Sequence, residues 1–168
     1  MDAPIEICKA GPADAGIISR ILQCSIKVGC AIDHRNNPQI VAAWTRNKTV
    51  DHVQPWLADR RRYLNIALLH DKPVGVGMAA DSGRITFCYV QPEWFRRGAG
   101  LALVGDLEAW LGSQGWTQAL LTSTRTSLDF YTRLGYRQSA ESFTVAGLTA
   151  TPMHKPLAPP LIESRPKV

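Results

Sequence analysis

Where the chain runs Val90-Gln91-Pro92-Glu93-Trp94-Phe95-Arg96-Arg97-Gly98-Ala99-Gly100-Leu101, a β-type segment gives way to two arginines, two glycines and then a helical pattern. The first turn of a helix leaves backbone N–H groups unpaired and carries a partial positive charge, while glycine lets the backbone pass close to a bulky anion. Such a turn holds a pyrophosphate, and Arg96 and Arg97 add charge beside it. Taken alone, these residues fit close strand-to-helix packing equally well. Further on, Leu120 to Tyr136 reads LLTSTRTSLDFYTRLGY, a buried-strand pattern leading into a short helix whose Phe130, Tyr131, Leu134 and Tyr136 make an aromatic core face. A third segment, Gly29 to Pro38, has loop composition and carries Cys30, Asp33, His34 and Arg35. Glu93, Asp33, His34 and Glu141 are the candidate general bases, and each also fits a surface or turn position. Cys88 has no histidine near it in sequence, so a covalent thiol mechanism is not expected.

The rest of the composition removes competing classes. With 168 residues and 45% hydrophobic content the chain is long enough for one core and short for two, so one domain over residues 1–157 is expected. Cys8, Cys24, Cys30 and Cys88 form no CxxC pair and no zinc spacing with histidine, so free thiols and no metal are expected. The net charge of +5 raises the question of an anionic polymer as partner. Its sources are scattered over Arg60-Arg61-Arg62, Arg96-Arg97, Arg165 and Lys167, and no helix carries a basic stripe with interleaved aromatics, so nucleic acid is not expected. The sequence has no run of about 18 apolar residues, and MDAPIEICKAGPADAG lacks a secretion signal. A cytoplasmic protein with no membrane partner is the expectation.

The elements that must position these residues follow from periodicity. Residues 5–9 alternate as a short strand, and Pro12-Ala13-Asp14 opens a helix to about residue 28 with Ile17, Ile18, Ile21, Leu22 and Ile26 on one face. After the polar loop, Ile40, Val41 and Trp44 predict a second helix, broken near residue 47 and resuming over Val53 to Ala58. Tyr63 to Leu69 and Val74 to Ala79 predict a hairpin, and Ile85 to Val90 a third antiparallel strand. A helix over Gly98 to Leu111, a strand over Ala119 to Thr122, a short helix over Ser127 to Leu134 and a closing hairpin over residues 143–153 around Ala146-Gly147 complete the order. The stretch 158–168, with its prolines and charges, is expected to be a disordered tail. The fold class is therefore a mixed α/β layer structure, with a strand-to-helix turn at its centre.

Two of these segments carry a family resemblance. Val90-x-Pro92 followed by Arg97-Gly98-Ala99-Gly100 resembles the acetyl-CoA-binding motif of the GNAT acetyltransferases, in which Gln or Arg is followed by two residues, Gly, one residue, and Gly or Ala. Phe95 stands where the family has Gln or Arg, and Arg96 and Arg97 supply charge beside it. Phe130-Tyr131-Thr132-Arg133-Leu134-Gly135-Tyr136 resembles the family's FYxxxGF ending, with Thr124 where many members place Asn. The element order matches the family up to Leu157.

The resemblance implies a mostly antiparallel sheet splayed at a cofactor cleft, with helices on both faces. It implies acetyl-CoA as co-substrate, bound along the backbone at Cys88 and Val90, at Phe95, Arg96, Arg97, Gly98, Ala99 and Gly100, and near Thr124. Tyr131 is implied as the catalytic residue, pointing at the cofactor's sulfur; its ordinary pKa near 10 lies close to that of an alkyl thiol. Cys30, His34 and Trp44 are implied to border the acceptor, and a homodimer is implied, for which the C-terminal hairpin is an available edge. The expected activity is direct transfer of acetyl to a primary amine of a small molecule, amino acid or protein. The alternative is a non-catalytic module that senses acyl-CoA, which the residue at Phe95 and the lack of an evident base favour, whereas Tyr131 favours the enzyme.

Overall fold

The computed structural model describes residues 3–158, so all but the first residue of the expected tail lies outside the described residues. The alternation around Ile7 forms β1 (Glu6–Lys9), and a 3₁₀ turn at Pro12–Asp14 leads into α1 (Ala15–Gly29), whose Ile18, Ile21, Leu22 and Ile26 are fully buried. The Gly29 to Pro38 segment departs from its loop expectation, because it contains the single helical turn α2 (Ala31–His34). Cys30 breaks away from the helical conformation before it, and Arg35 and Asn36 stop it after, both in the left-handed region at φ 50° and 57°. Helices α3 (Pro38–Thr45) and α4 (Val50–Ala58) follow, α3 capped by the Asn37 side chain, which accepts from the Gln39 and Ile40 amides.

The central strands are β2 (Arg62–Leu69), β3 (Lys72–Ala80) and β4 (Arg84–Val90), joined as antiparallel neighbours as expected. Then come α5 (Ala99–Ser113), β5 (Gln118–Ser123), α6 (Leu128–Arg133), β6 (Arg137–Gln138), β7 (Phe143–Val145) and β8 (Leu148–Pro156). The short β6 was not foreseen, and β8 runs past Met153 to Pro156. The sheet order is β1-β2-β3-β4-β5-β8-β6, with β7 on β8.

Alternation divides the core between the two faces. Leu64, Ile66, Val76, Met78 and Phe87 pack with α1 and Val53 of α4, while Ala79, Ile85 and Ala119 pack with Val104, Leu107 and Leu111 of α5 on the other side.

The position of the site follows from one interruption of pairing. Strands β4 and β5 are parallel and share a single register pair, Arg84 with Leu120. There the Leu120 amide donates to the Gly83 carbonyl at 2.9 Å, and the Arg84 guanidinium to the Thr122 hydroxyl at 3.3 Å. Beyond that point the strands part, so β4 from Ile85 to Val90 has β3 on one edge and an open cleft on the other.

Candidate active site

The turn from β4 into α5 presents a run of free backbone donors. The amides of Arg96, Arg97, Gly98, Ala99, Gly100 and Leu101 find no acceptor among the described residues, and the first helical bond runs from Ala102 to the Gly98 carbonyl at 3.0 Å. Gly98 caps the helix at φ +84°, a left-handed conformation that glycine adopts without strain, and a Cβ there would meet nothing within 4 Å. Gly100 serves a different end: a Cβ on it would lie 2.9 Å from Cζ of Phe130 on α6. One glycine thus leaves the turn open, and the other lets the two motifs touch. Arg97 lies over the Trp94 ring at 5.6 Å, and Phe95 is 46% exposed with its ring edge against Gly29. The turn therefore carries its charge on backbone and arginines, with an apolar side chain as its outer lip.

Along β4 the backbone is available on the cleft side. The Gln91 amide donates to Val74 of β3 at 2.9 Å. Backbone groups of an extended strand alternate in direction, so those of Val90 and Cys88 face the open edge. Across the cleft, Tyr131 of α6 is buried between Phe130 and Tyr136, edge-on to both at 5.1 Å and 5.6 Å, and packs in the same cluster as Cys88. Tyr136 is pinned in turn by its hydroxyl, which donates to Glu108 of α5 at 3.1 Å, and Glu108 pairs with Lys155 of β8 at 3.0 Å. The Tyr131 hydroxyl, by contrast, makes no hydrogen bond among the described residues, although its ring is held on both sides. Thr124 lies at the end of β5, its hydroxyl 3.1 Å from that of Ser127.

On the opposite face, α2 is stitched to the β5–α6 loop. The Asp33 carboxylate is buried and accepts from the Arg125 amide at 2.8 Å, from the Thr126 amide at 3.1 Å and from the Thr126 hydroxyl. His34 is buried too; its Nε2 bonds the Ile26 carbonyl at 2.8 Å and its Nδ1 accepts the Asn36 amide at 3.0 Å, which fixes the proton on Nε2. Both residues are thus engaged with the chain itself. Trp44 of α3 stands edge-on to His34 at 6.2 Å and donates its indole N–H to the Tyr89 hydroxyl at 3.2 Å. Cys30 is buried beside Asp33 and Thr126, while Glu93 and Glu141 are exposed. Among the described residues no group of three His, Cys, Asp or Glu side chains converges as a metal site would require.

Comparison with known proteins decides the family. The family model described as an acetyltransferase (GNAT) domain matches residues 33–157. The chain is a GNAT acetyltransferase. Solved structures agree on the fold. A GCN5-related N-acetyltransferase from Rhodopseudomonas palustris superposes with a TM-score of 0.82 at 23% identity, covering 94% of this chain and 98% of that one. PaiA N-acetyltransferase from Thermoplasma acidophilum, in complex with coenzyme A, gives 0.74 at 15% identity over 91% and 99%. YncA from Salmonella typhimurium, solved with its cofactor acetyl-CoA, gives 0.69 at 17% identity over 98% of both chains. A search of curated proteins gave no match. This GNAT protein is accordingly an acyltransferase, and relatives of its fold hold acetyl-CoA or CoA.

Two features of the GNAT site were not read from the sequence. Tyr89 faces the α1 side of β4 and receives the Trp44 indole, a place that strand alternation with Cys88 would have assigned to it. Asp33 joins residues 92 and 93 positions apart, and no local pattern announces such a bond.

Burial of ionisable groups around this GNAT cleft sets a pH limit on stability. Burial pushes the thiols of Cys30 and Cys88 up to about 12 from 9.0, and raises the phenols of Tyr89, Tyr131 and Tyr136 above their ordinary value. Above pH 9 the unfolded chain loses thiol protons that the folded chain keeps, so stability present below pH 9 is lost as pH rises toward 12. Each thiol contributes a slope of about 1.4 kcal/mol per pH unit in that window. Urea midpoints are expected to be level from pH 7 to 9 and to fall steeply by pH 11, with a shallower fall in Cys88→Ser. A midpoint unchanged at pH 11 would show that these thiols are not shielded.

Proposed function

We propose that this acyltransferase moves an acetyl group from acetyl-CoA by direct transfer to a primary amine, within a catalytic domain spanning residues 1–157. The observation that carries this reading is the run of amides from Arg96 to Leu101 at the start of α5 that have no acceptor among the described residues, with open space at Gly98 and the unpaired edge of β4 beside them. A pyrophosphate fits these donors, with Arg96 and Arg97 beside it and Phe95 covering one side. The backbone of Cys88 and Val90 takes the pantetheine amides in the manner of an added strand. When bound, the thioester supplies an acetyl carbon activated toward amines. The Val90 N–H donates to the acetyl oxygen; as the C–N bond forms and the C–S bond breaks, Tyr131 gives its proton to the departing sulfur, and the proton the nitrogen sheds passes to solvent, from which Tyr131 is reprotonated. In this reading Thr124 is assigned to the cofactor and Cys30, His34 and Trp44 to the acceptor's side, which the Trp44–His34 edge contact and the Thr124–Ser127 hydroxyl pair support only as local order. With Asp33 and His34 engaged inside the fold, the amine enters as its free base.

Calorimetric titration with acetyl-CoA, CoA and ATP tests this reading, at moderate salt to screen the general attraction of anions to a basic protein. Saturable binding of acetyl-CoA and CoA well above ATP is expected. Equal binding of all three, or none, would reduce the turn to a generic or purely structural feature.

A further inference from the structure

A second concavity lies apart from the start of α5, none of whose residues line it. It is a cleft of about 390 Å³ between the α2–α3 segment, the β5–α6 loop and the β7–β8 hairpin, large enough for a small ligand. Its lining brings together Arg35 and Arg125, which are distant in sequence. Neither guanidinium makes an ion pair among the described residues, where the paired cations are Arg61, Arg62 and Lys155. The one carboxylate in the lining, Asp33, is already capped by two amides and a hydroxyl, and the one imidazole, His34, has both nitrogens occupied.

The remaining polar groups of the lining are suited to donating. Asn37 uses its side-chain oxygen to cap α3, which leaves its NH₂ free, and Thr144 and Thr149 bring hydroxyls from the hairpin. Arg35 is held there at some cost, since it and Asn36 are consecutive non-glycine residues in the left-handed region. Such conformations cost on the order of 1 kcal/mol each and persist where the surroundings over-determine them. A chain of contacts links the cleft to the strand and helix of the transfer site. The cleft's wall residue His34 contacts Trp44, which bonds Tyr89 on β4, and Arg125 sits in the loop that leads to Tyr131.

We infer that this cleft is the acceptor subsite and that it selects a small amine bearing an anionic group, a carboxylate or a phosphate, held between Arg35 and Arg125. The inference rests on the acetyl-transfer reading for its chemistry. Its recognition step is independent of that reading, because two guanidinium groups with no ion pair among the described residues bind an anion whether or not acetyl is transferred.

The experiment compares matched amines: L-glutamate against L-glutamine α-amide, and O-phosphoethanolamine against ethanolamine. CoA release is followed with acetyl-CoA present, and binding is followed by calorimetry without it. The anionic member of at least one pair is expected to have a kcat/KM at least tenfold above its neutral counterpart, and which pair does so tells carboxylate from phosphate. Arg35→Gln and Arg125→Gln are each expected to raise KM for the anionic acceptor about tenfold with kcat held and to leave acetyl-CoA affinity unchanged, whereas the conservative Arg35→Lys and Arg125→Lys each keep part of what the matching Gln variant loses. Both arginines are at the surface, so the folded state is expected to survive either change, as circular dichroism will report. Equal turnover of neutral and anionic members overturns the inference, as does failure of every anionic probe to bind or react while acetyl-CoA binds normally. Failure to bind acetyl-CoA overturns the transfer reading instead. In that case saturable binding of glutamate or phosphoethanolamine, lost in the double arginine variant, still upholds the anion site, and its absence removes it.

Discussion

Gly98→Glu is expected to lower acetyl-CoA affinity at least about 100-fold, equivalent to about 2.7 kcal/mol, while the protein stays folded. Two separable effects coincide at this residue. Any side chain there must accept φ +84°, which costs about 1–2 kcal/mol for an L-residue. The alanine variant isolates that cost, since its Cβ meets nothing within 4 Å and so adds no clash. In a chain of this size such a loss lowers Tm by roughly 2–8 °C, without abolishing the fold. Glutamate adds bulk and a negative charge in front of the amides of Ala99, Gly100 and Leu101. These amides otherwise lack partners among the described residues, so the carboxylate competes for them directly at the positive end of α5. Titration of both variants with acetyl-CoA checks this. If Gly98→Glu binds as tightly as Gly98→Ala, the pyrophosphate lies elsewhere.

Local chemistry makes the cradle readable from the sequence. A strand ending at Val90, arginines, and a Gly-Ala-Gly entering a helix are contiguous, so their spatial relation follows from the chain's own geometry. The helix α1 and the β2–β3–β4 meander are equally legible, because each has a strong period and short connections. The sequence does not distinguish the work of Gly98 from that of Gly100, since that depends on where Phe130 comes to rest. Nor does it reveal the helical turn at Ala31–His34, whose stability comes from nonlocal bonds of Asp33 to Arg125 and Thr126. The same bonds move Asp33 from the candidate bases to the framework of the fold, and His34 follows it through its bonds to Ile26 and Asn36. Edge strand β6 has only Arg137 and Gln138, too few residues for any alternation to show.

Tyr131→Phe is expected to slow turnover by about 100-fold or more while leaving acetyl-CoA affinity and Tm nearly unchanged. The separation is expected because the hydroxyl holds nothing in place. It makes no hydrogen bond among the described residues, and the ring is held by Phe130 and Tyr136 alone. Removing a hydroxyl that has no protein partner to leave unsatisfied costs little. Burial also lifts this phenol well above 10, which breaks the simple match to a thiol in water. The departing thiolate must form in the same surroundings, however, and the neighbouring Cys88 reports what they do to sulfur, its thiol being lifted to about 12. Both acids are therefore weakened by the same cause, burial, and the phenol stays protonated through pH 9. It follows that the alkaline limb of kcat does not arise from ionisation of Tyr131 below pH 10, and that the variant lowers kcat by a similar factor at pH 7 and pH 9. Full activity of Tyr131→Phe with an accepted amine would remove the proton-donor role. A loss of activity matched by an equal loss of acetyl-CoA binding would make Tyr131 a wall of the cofactor groove instead.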